Sequence, residues 1–251
     1  MDAIKKFPND IVMISGGSLG IGLATARQLG QSGARISICG RREDALHEAK
    51  DSLQASGIEV IAVQADVSQE DDVERWFAET EQRFGPATIL VNNAGIAGAK
   101  PLLELDEAQW DKTISVNCRG PFLCTKRAAQ QMIAAKQGRI IFISSISAQY
   151  YRKDCSLYFA SKWALNGFAH CVAKDLHEHG IHVHIICPGM TETRFFDALE
   201  GGRPHPPEKH YVEPEMVAEM VEQFCTLPPG FDTNEHSIIP SWQLNNLGLR
   251  R

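Results

Sequence analysis

The sequence predicts an α/β fold in a single domain: a doubly wound parallel sheet with helices on both faces. Three observations predict it. Short β-rich runs alternate with longer helical patterns from residue 11 to residue 187. The strands are near-continuous apolar runs, as expected of strands covered on both faces. A chain of 251 residues suits one α/β domain of this kind.

The first strand, IVMIS at 11–15, runs into the turn SGGSLGIG and a helix over 20–32. The second strand, RISIC at 35–39, is punctuated by Gly33-Ala34 before it and Gly40 after it. A helix at 42–55, a strand at 59–63, a helix at 69–84 and a strand at 88–92 repeat the alternation. A long helical pattern at 106–136, a strand at 139–144, a helix at 156–179 and a strand at 182–187 follow. The stretch 191–212 breaks the rhythm. It is rich in Gly and Pro, carries Phe195-Phe196 and directly follows a strand, so it reads as a substrate lid, with a plain surface loop as the alternative. A helix at about 213–226 and a strand at 237–240 close the domain. In such sheets ligands bind at the carboxyl ends of the strands, near the switch in strand order.

Composition narrows the function. The net charge of −6 comes without a block of like charge, so no nucleic-acid partner is expected. The longest aliphatic or aromatic run is Ile140-Ile141-Phe142-Ile143, far short of the ~20 residues of a membrane span. The start, MDAIKKFPND, lacks the apolar core of a signal peptide. Seven scattered cysteines without a C-x-x-C read as thiols in a reducing compartment, and the expected location is cytoplasmic. His177, His179, His182 and His184 crowd eight residues, but Gly180 divides them between a helix end and a strand. They read as structural, and no metal is expected.

The glycine turn points to a nucleotide. Gly16, Gly20 and Gly22 follow G-x-x-x-G-x-G, and glycine lets backbone N–H groups approach a pyrophosphate while the helix packs close to the strand. Ser18, Leu19 and Ile21 complete the candidate phosphate loop. An ordinary strand-to-helix turn can carry the same glycines; the position after the first strand of an alternating chain favours the nucleotide. At the end of the second strand an acid would bind a ribose 2′-hydroxyl, and an arginine a 2′-phosphate. Here Gly40 stands in the acid's place and Arg41 and Arg42 follow, which favours NADP(H) over NAD(H), although Glu43 offers either arginine a partner. Asp66 and Val67 after the third strand are candidates for the adenine, and Asn93, Ala94 and Gly95 after the fourth for a ribose.

The reactive groups come from three places. Tyr158 and Lys162, four apart, share a helix face. That face is expected to point inward, because Leu157, Ala160, Trp163 and Ala164 surround the pair. Ser145 ends the fifth strand, and Asn117 is an odd choice inside a helical pattern. A phenol with an ordinary pKa near 10 is a poor proton donor at neutral pH, and a nearby ammonium lowers that pKa. Tyr158 then moves the proton, Lys162 tunes it and reaches the ribose, Ser145 orients a carbonyl oxygen, and Asn117 holds a water behind Lys162. Gln149, Tyr150, Tyr151 and Arg152, with Phe195 and Phe196, are candidates for the substrate pocket.

Taken together, SGGSLGIG, ADV, NNAG, Asn117, Ser145, Tyr158-x-x-x-Lys162 and PGMTET resemble, in order, the motifs of the short-chain dehydrogenase/reductase family. The resemblance implies a Rossmann-type fold and catalysis by Asn117, Ser145, Tyr158 and Lys162. It implies hydride transfer between nicotinamide and a small carbonyl or alcohol. It places Pro188, Gly189, Thr191 and Thr193 beside the nicotinamide, and it implies a homotetramer or dimer. The rival is a catalytically idle NADP(H)-binding sensor or scaffold. Two features depart from the family: Gly17 stands where alanine is usual, and the C-terminus lacks the usual glycine-rich ending.

Overall fold

A computed structural model of the chain describes residues 5–193, 195, 210–228 and 235–244. Its sheet has seven parallel strands: β1 (Ile11–Ser15), β2 (Arg35–Gly40), β3 (Val60–Gln64), β4 (Ile89–Asn92), β5 (Gly138–Ile143), β6 (Ile181–Pro188) and β7 (Glu235–Ile238). Their spatial order is β3-β2-β1-β4-β5-β6-β7. The chain builds outward from β1 to β3, then returns to the other side of β1, so the switch in direction falls between β1 and β4. A crevice opens there at the carboxyl ends.

β1, β2, β4, β5 and β6 bury both faces, which is why none of them alternates cleanly in sequence, whereas the edge strands β3 and β7 are partly open. On one face lie Met13, Leu90, Ile140 and Phe142 under α3 (Glu70–Phe84), α5 (Gly120–Ala135) and α6 (Ser156–His177). On the other lie Ile14, Ile36, Val91 and Ile141 under α1 (Gly20–Gln31), α2 (Glu43–Ala55) and α7 (Pro214–Cys225). Trp76 of α3 is fully buried and satisfies its ring N–H on Ser37 Oγ at 2.9 Å. Truncating such a side chain costs about 3–5 kcal/mol.

Two elements differ from the sequence expectation. The pattern at 106–136 is not one helix. It divides into α4 (Glu107–Ile114), a π turn (Ser115–Arg119) and α5. A π turn sits inside a helical run as a single-turn bulge, and its i→i+5 bonding has no local composition signal that would separate it from the helices on either side. α4 starts on a capping box: Asp106 accepts the Gln109 N–H at 2.7 Å and Gln109 Oε1 accepts the Asp106 N–H. β7 begins at Glu235, two residues before the expected start, and stops short of Pro240, which has no N–H to give to a ladder. α8 (Ser241–Leu244) follows it. No helix among the described residues is long and apolar enough to cross a membrane.

Candidate active site

A cavity of about 740 Å³ runs along the carboxyl ends of the strands. Its volume lies within the range of small-molecule sites. The glycine turn forms one wall, where Gly16 and Gly20 adopt φ of +64° and +53°. Gly22 lies behind the wall: a Cβ there would stand 2.3 Å from Gly16 O, so glycine is needed for α1 to approach the turn. Ser18, Leu19 and Ile21 line the cavity between them. Gly17 now has its reason. A Cβ at that position would meet Ile38 Cγ2 at 2.5 Å, so the usual alanine does not fit under this β2.

The turn is locked to the loop after β4. Ser15 Oγ accepts the N–H groups of Asn93 and Ala94, both at 3.0 Å, and Asn93 Nδ2 donates to Ser15 O and Gly16 O. These bonds set Asn93, Ala94 and Gly95 into the cavity wall. Sequence reasoning passed over Ser15, whose only signal is a small hydroxyl at the end of an otherwise apolar strand.

Arg41, Arg42, Asp66 and Val67 line the end beyond β2 and β3. Both arginines are exposed. Arg41 lies 3.9 Å from Asp66, a half-exposed pair worth under about 1 kcal/mol, so its guanidinium is cheaply released to an incoming anion. The partner among the described residues is therefore Asp66 and not Glu43, which instead opens α2 in its favourable N-terminal place. Asp66 is oriented by Ser68, whose N–H and hydroxyl both bond its Oδ1, at 3.0 and 2.7 Å.

At the other end Ser145, Tyr158 and Lys162 face the cavity together. Ser145 Oγ accepts the Ser147 N–H at 3.1 Å and lies in the same stretch of wall as Tyr158. Lys162 is buried, donates to Ile143 O at 3.2 Å, and stands 5.9 Å from the Tyr158 ring centre. The inward face of α6 carries Leu157, Ser161, Lys162, Leu165 and Asn166, whereas Ala160, Trp163 and Ala164 are exposed. The pair does point inward, but of the four neighbours invoked for it only Leu157 goes with it.

Electrostatics correct the expected tuning. Burial pushes the Tyr158 phenol up to about 12, opposed by the Ser145 hydroxyl, and the same enclosure pushes Lys162 down to about 8. Desolvation disfavours the charged form of each and is the largest influence on both. The resting tyrosine is thus held protonated, as a proton donor.

Asn117 does not line the cavity. In the π turn its Oδ1 accepts the Ile96 N–H at 2.8 Å, and its Nδ2 donates to Ile96 O and Ser161 Oγ, both at 2.9 Å. A Cβ on Gly95 would touch both Asn117 Oδ1 and Lys162 Nζ, at 3.4 and 3.8 Å, so the amide backs the lysine across that glycine. Pro188, Gly189, Thr191 and Thr193 line the cavity after β6. A Cβ on Gly20 would reach Thr193 Cγ2 at 2.9 Å, which closes the cavity across its middle.

The substrate-side residues scatter. Gln149 turns away to Glu235 and Ser237, and exposed Tyr151 stacks on Trp163 with centres 6.1 Å apart. Exposed Arg152 likewise stays outside the cavity wall, whereas Phe195 lines it with its ring 6.0 Å from that of Tyr158. Phe196 and most of 191–212 lie outside the described residues. The four clustered histidines separate, and buried His184 stacks on Phe224 within the core.

Comparison with known proteins agrees with this geometry. The family model described as short chain dehydrogenase matches residues 10–203. A 3-oxoacyl-[acyl-carrier-protein] reductase of Synechocystis sp. is 34% identical over 224 residues, 87% of this chain and 90% of that protein. A metagenomic short-chain oxidoreductase solved in complex with NADP superposes with a TM-score of 0.82 at 30% identity, over 94% of this chain and 99% of the other. A variant of actinorhodin polyketide ketoreductase solved with NADPH gives 0.84 at 28% identity, over 96% and 98%.

Proposed function

Because the chain belongs to the short-chain dehydrogenase/reductase family, we propose that it is an NADP(H)-dependent oxidoreductase acting on a carbonyl or secondary alcohol. The observation that carries the reading is the meeting of Ser145, Tyr158 and Lys162 in the cavity whose far end holds the glycine turn and two exposed arginines. The residues fit the cofactor. The positive-φ glycines offer a backbone cradle for a pyrophosphate, and Arg41 and Arg42 suit a 2′-phosphate. Bound nicotinamide supplies the hydride.

The chain's own residues do the rest. Ser145 donates to the carbonyl oxygen and holds it beside the Tyr158 hydroxyl. Tyr158 gives its proton to that oxygen as negative charge develops there, and takes it back in the oxidative direction. The Lys162 ammonium stabilises the phenolate left behind and reaches the nicotinamide ribose hydroxyls. Asn117 keeps Lys162 aimed by holding the Ile96 backbone and Ser161. Phe195 forms an apolar wall over the reacting carbon, as the root of a lid at 191–212. The assembly in this reading is a homotetramer or dimer, built on the exposed faces of α4 to α6, and the seven unpaired cysteines suit the cytoplasm.

The test is Tyr158→Phe. Turnover of NADPH with a carbonyl panel, followed by absorbance, should fall at least a thousandfold, while the Kd for NADPH stays within about threefold. A wild type that binds NADPH but reduces no carbonyl would leave the idle sensor standing instead.

A further inference from the structure

The stretch Ser144 to Gln149 carries Ser145, and both of its ends are tied into one run of side chains behind the cavity. At its start, the Ser144 hydroxyl donates to Asn166 Oδ1. Asn166 Nδ2 donates to Cys187 Sγ at 3.6 Å, and the Cys187 thiol donates to Glu235 Oε1 at 3.5 Å. The same Glu235 oxygen accepts the side-chain N–H of Gln149, and Gln149 Oε1 accepts the Ser237 hydroxyl at 3.0 Å. The run thus closes on itself, from Ser144 through α6, β6 and β7 back to Gln149. Ser144, Asn166 and Cys187 are all buried. Burial pushes the Cys187 thiol up to about 12, so it stays a neutral S–H donor.

Asn166 is the member nearest the chemistry. It lies one turn beyond Lys162 on the inward face of α6, and it does not line the cavity itself. Lys162 holds Ile143 O and Asn166 holds the Ser144 hydroxyl, so successive turns of one helix grip successive residues of the β5 exit. The pairing of β5 with β6 ends at Ile143 and Ile186. Beyond it, one strand exit leads to Ser145 and the other to Pro188 and Gly189, all three in the cavity wall. The Asn166 amide bridges the two exits at that point. A buried amide is costly unless it is paired, and both ends of this one are paired, each to a different strand exit.

We infer that Asn166 is a positioning residue for the reaction: its amide fixes the strand exit that carries Ser145 against the exit that leads to the nicotinamide side of the cavity. Hydride transfer needs the donor and acceptor carbons at contact distance, and a drift of about 1 Å costs up to about a hundredfold in rate. Asn166 acts through Ser144 and Cys187, without touching the reacting atoms. This role rests on the oxidoreductase reading.

Asn166→Leu keeps the volume and removes the amide. The probe is ethyl acetoacetate with NADPH, and sites are counted by NADPH fluorescence titration, so that unfolded protein drops out of kcat. Per-site kcat should fall about thirtyfold, while KM and the Kd for NADPH stay within about threefold. In this variant NADPH deuterated at the transferred hydrogen should turn over more slowly than NADPH itself, because the hydride step is the one that has slowed. Ser144→Ala cuts one arm of the bridge and should lower kcat about fivefold, and adding it to Asn166→Leu should cost nothing more. A full per-site kcat with a lowered Tm would make Asn166 a structural residue only and overturn the inference. So would a loss without an isotope effect, a loss that appears in the Kd for NADPH, or losses that multiply in the double variant. Should Asn166→Leu not accumulate as folded protein, Ser144→Ala and Cys187→Ala test the two arms separately, each with about a fivefold loss of kcat and a double variant short of the product. A wild type that reduces neither this probe nor any other carbonyl of the panel overturns the oxidoreductase reading and this role with it. An active wild type beside unimpaired variants overturns this role alone.

Discussion

At the scale of single residues the site rests on two side chains held against their ionised or neutral habits. Lys162 ordinarily titrates near 10.5 and is lowered to about 8, so it is charged below that pH and neutral above it. Tyr158 is raised to about 12 and keeps its proton throughout. In the proposed mechanism the rate of carbonyl reduction depends on the ammonium that stabilises the phenolate left on Tyr158. It should therefore be flat from pH 6 to about 8 and fall about tenfold per unit above it. A kcat profile measured with saturating NADPH checks this; a rate still rising at pH 10 would mean that the lysine charge is not needed. Cofactor choice is a residue matter too. Arg41→Ala should raise KM for NADPH at least tenfold and change KM for NADH less than twofold, and equal changes would assign the pocket to NAD(H). The residue types of Ser145, Tyr158 and Lys162 were legible from chemistry and spacing. Their titration was not, because the desolvation that decides it comes from burial, which only the fold creates.

Elements carry these residues, and here legibility divides. Strand runs and glycine turns are local signals, and β1 with its turn is where the sequence placed it. The π turn at Ser115–Arg119 left no trace in the periodicity, although Asn117 was visible as an amide out of place. Its amide is fully used by Ile96 and Ser161, so Asn117→Ala leaves the part-buried Ile96 backbone unpaired. A loss of about 2–4 kcal/mol in urea unfolding is expected, together with lower turnover. A stability unchanged by the substitution would show that the turn stands without the amide. On the opposite side of the cavity, Gly22→Ala pushes a methyl into Gly16 O and Asn93 Nδ2, at 2.3 and 2.6 Å. The turn must open, and NADPH affinity measured by fluorescence should drop more than tenfold while the far-UV spectrum holds.

For the whole molecule, alternation of strand and helix gave the doubly wound class, but not which strands are neighbours. The order β3-β2-β1-β4-β5-β6-β7 depends on crossovers that leave no mark in the strand sequences themselves. The same limit applies to assembly. α4, α5 and α6 present large apolar side chains to solvent: Trp110 is 50% exposed, Phe122 44% and Trp163 45%. In the homo-oligomer proposed above, these three residues on neighbouring helices would lie at the centre of the interface. Trp163 also follows Lys162 directly on α6, so an interface on the outer face of that helix braces the residue on its inner face. Phe122→Asp with Trp163→Glu puts charge into that interface without touching the cavity. Light scattering after size exclusion should find wild type at two or four times the single-chain mass and the double variant at one. If the bracing matters, the dissociated chain loses kcat by about fivefold or more, because a 1 Å drift of Lys162 is enough to misalign the proton transfer, while NADPH binding at the far end persists. A monomeric wild type would reject the interface, and a dissociated variant with full kcat would show that α6 is held rigid by the sheet alone.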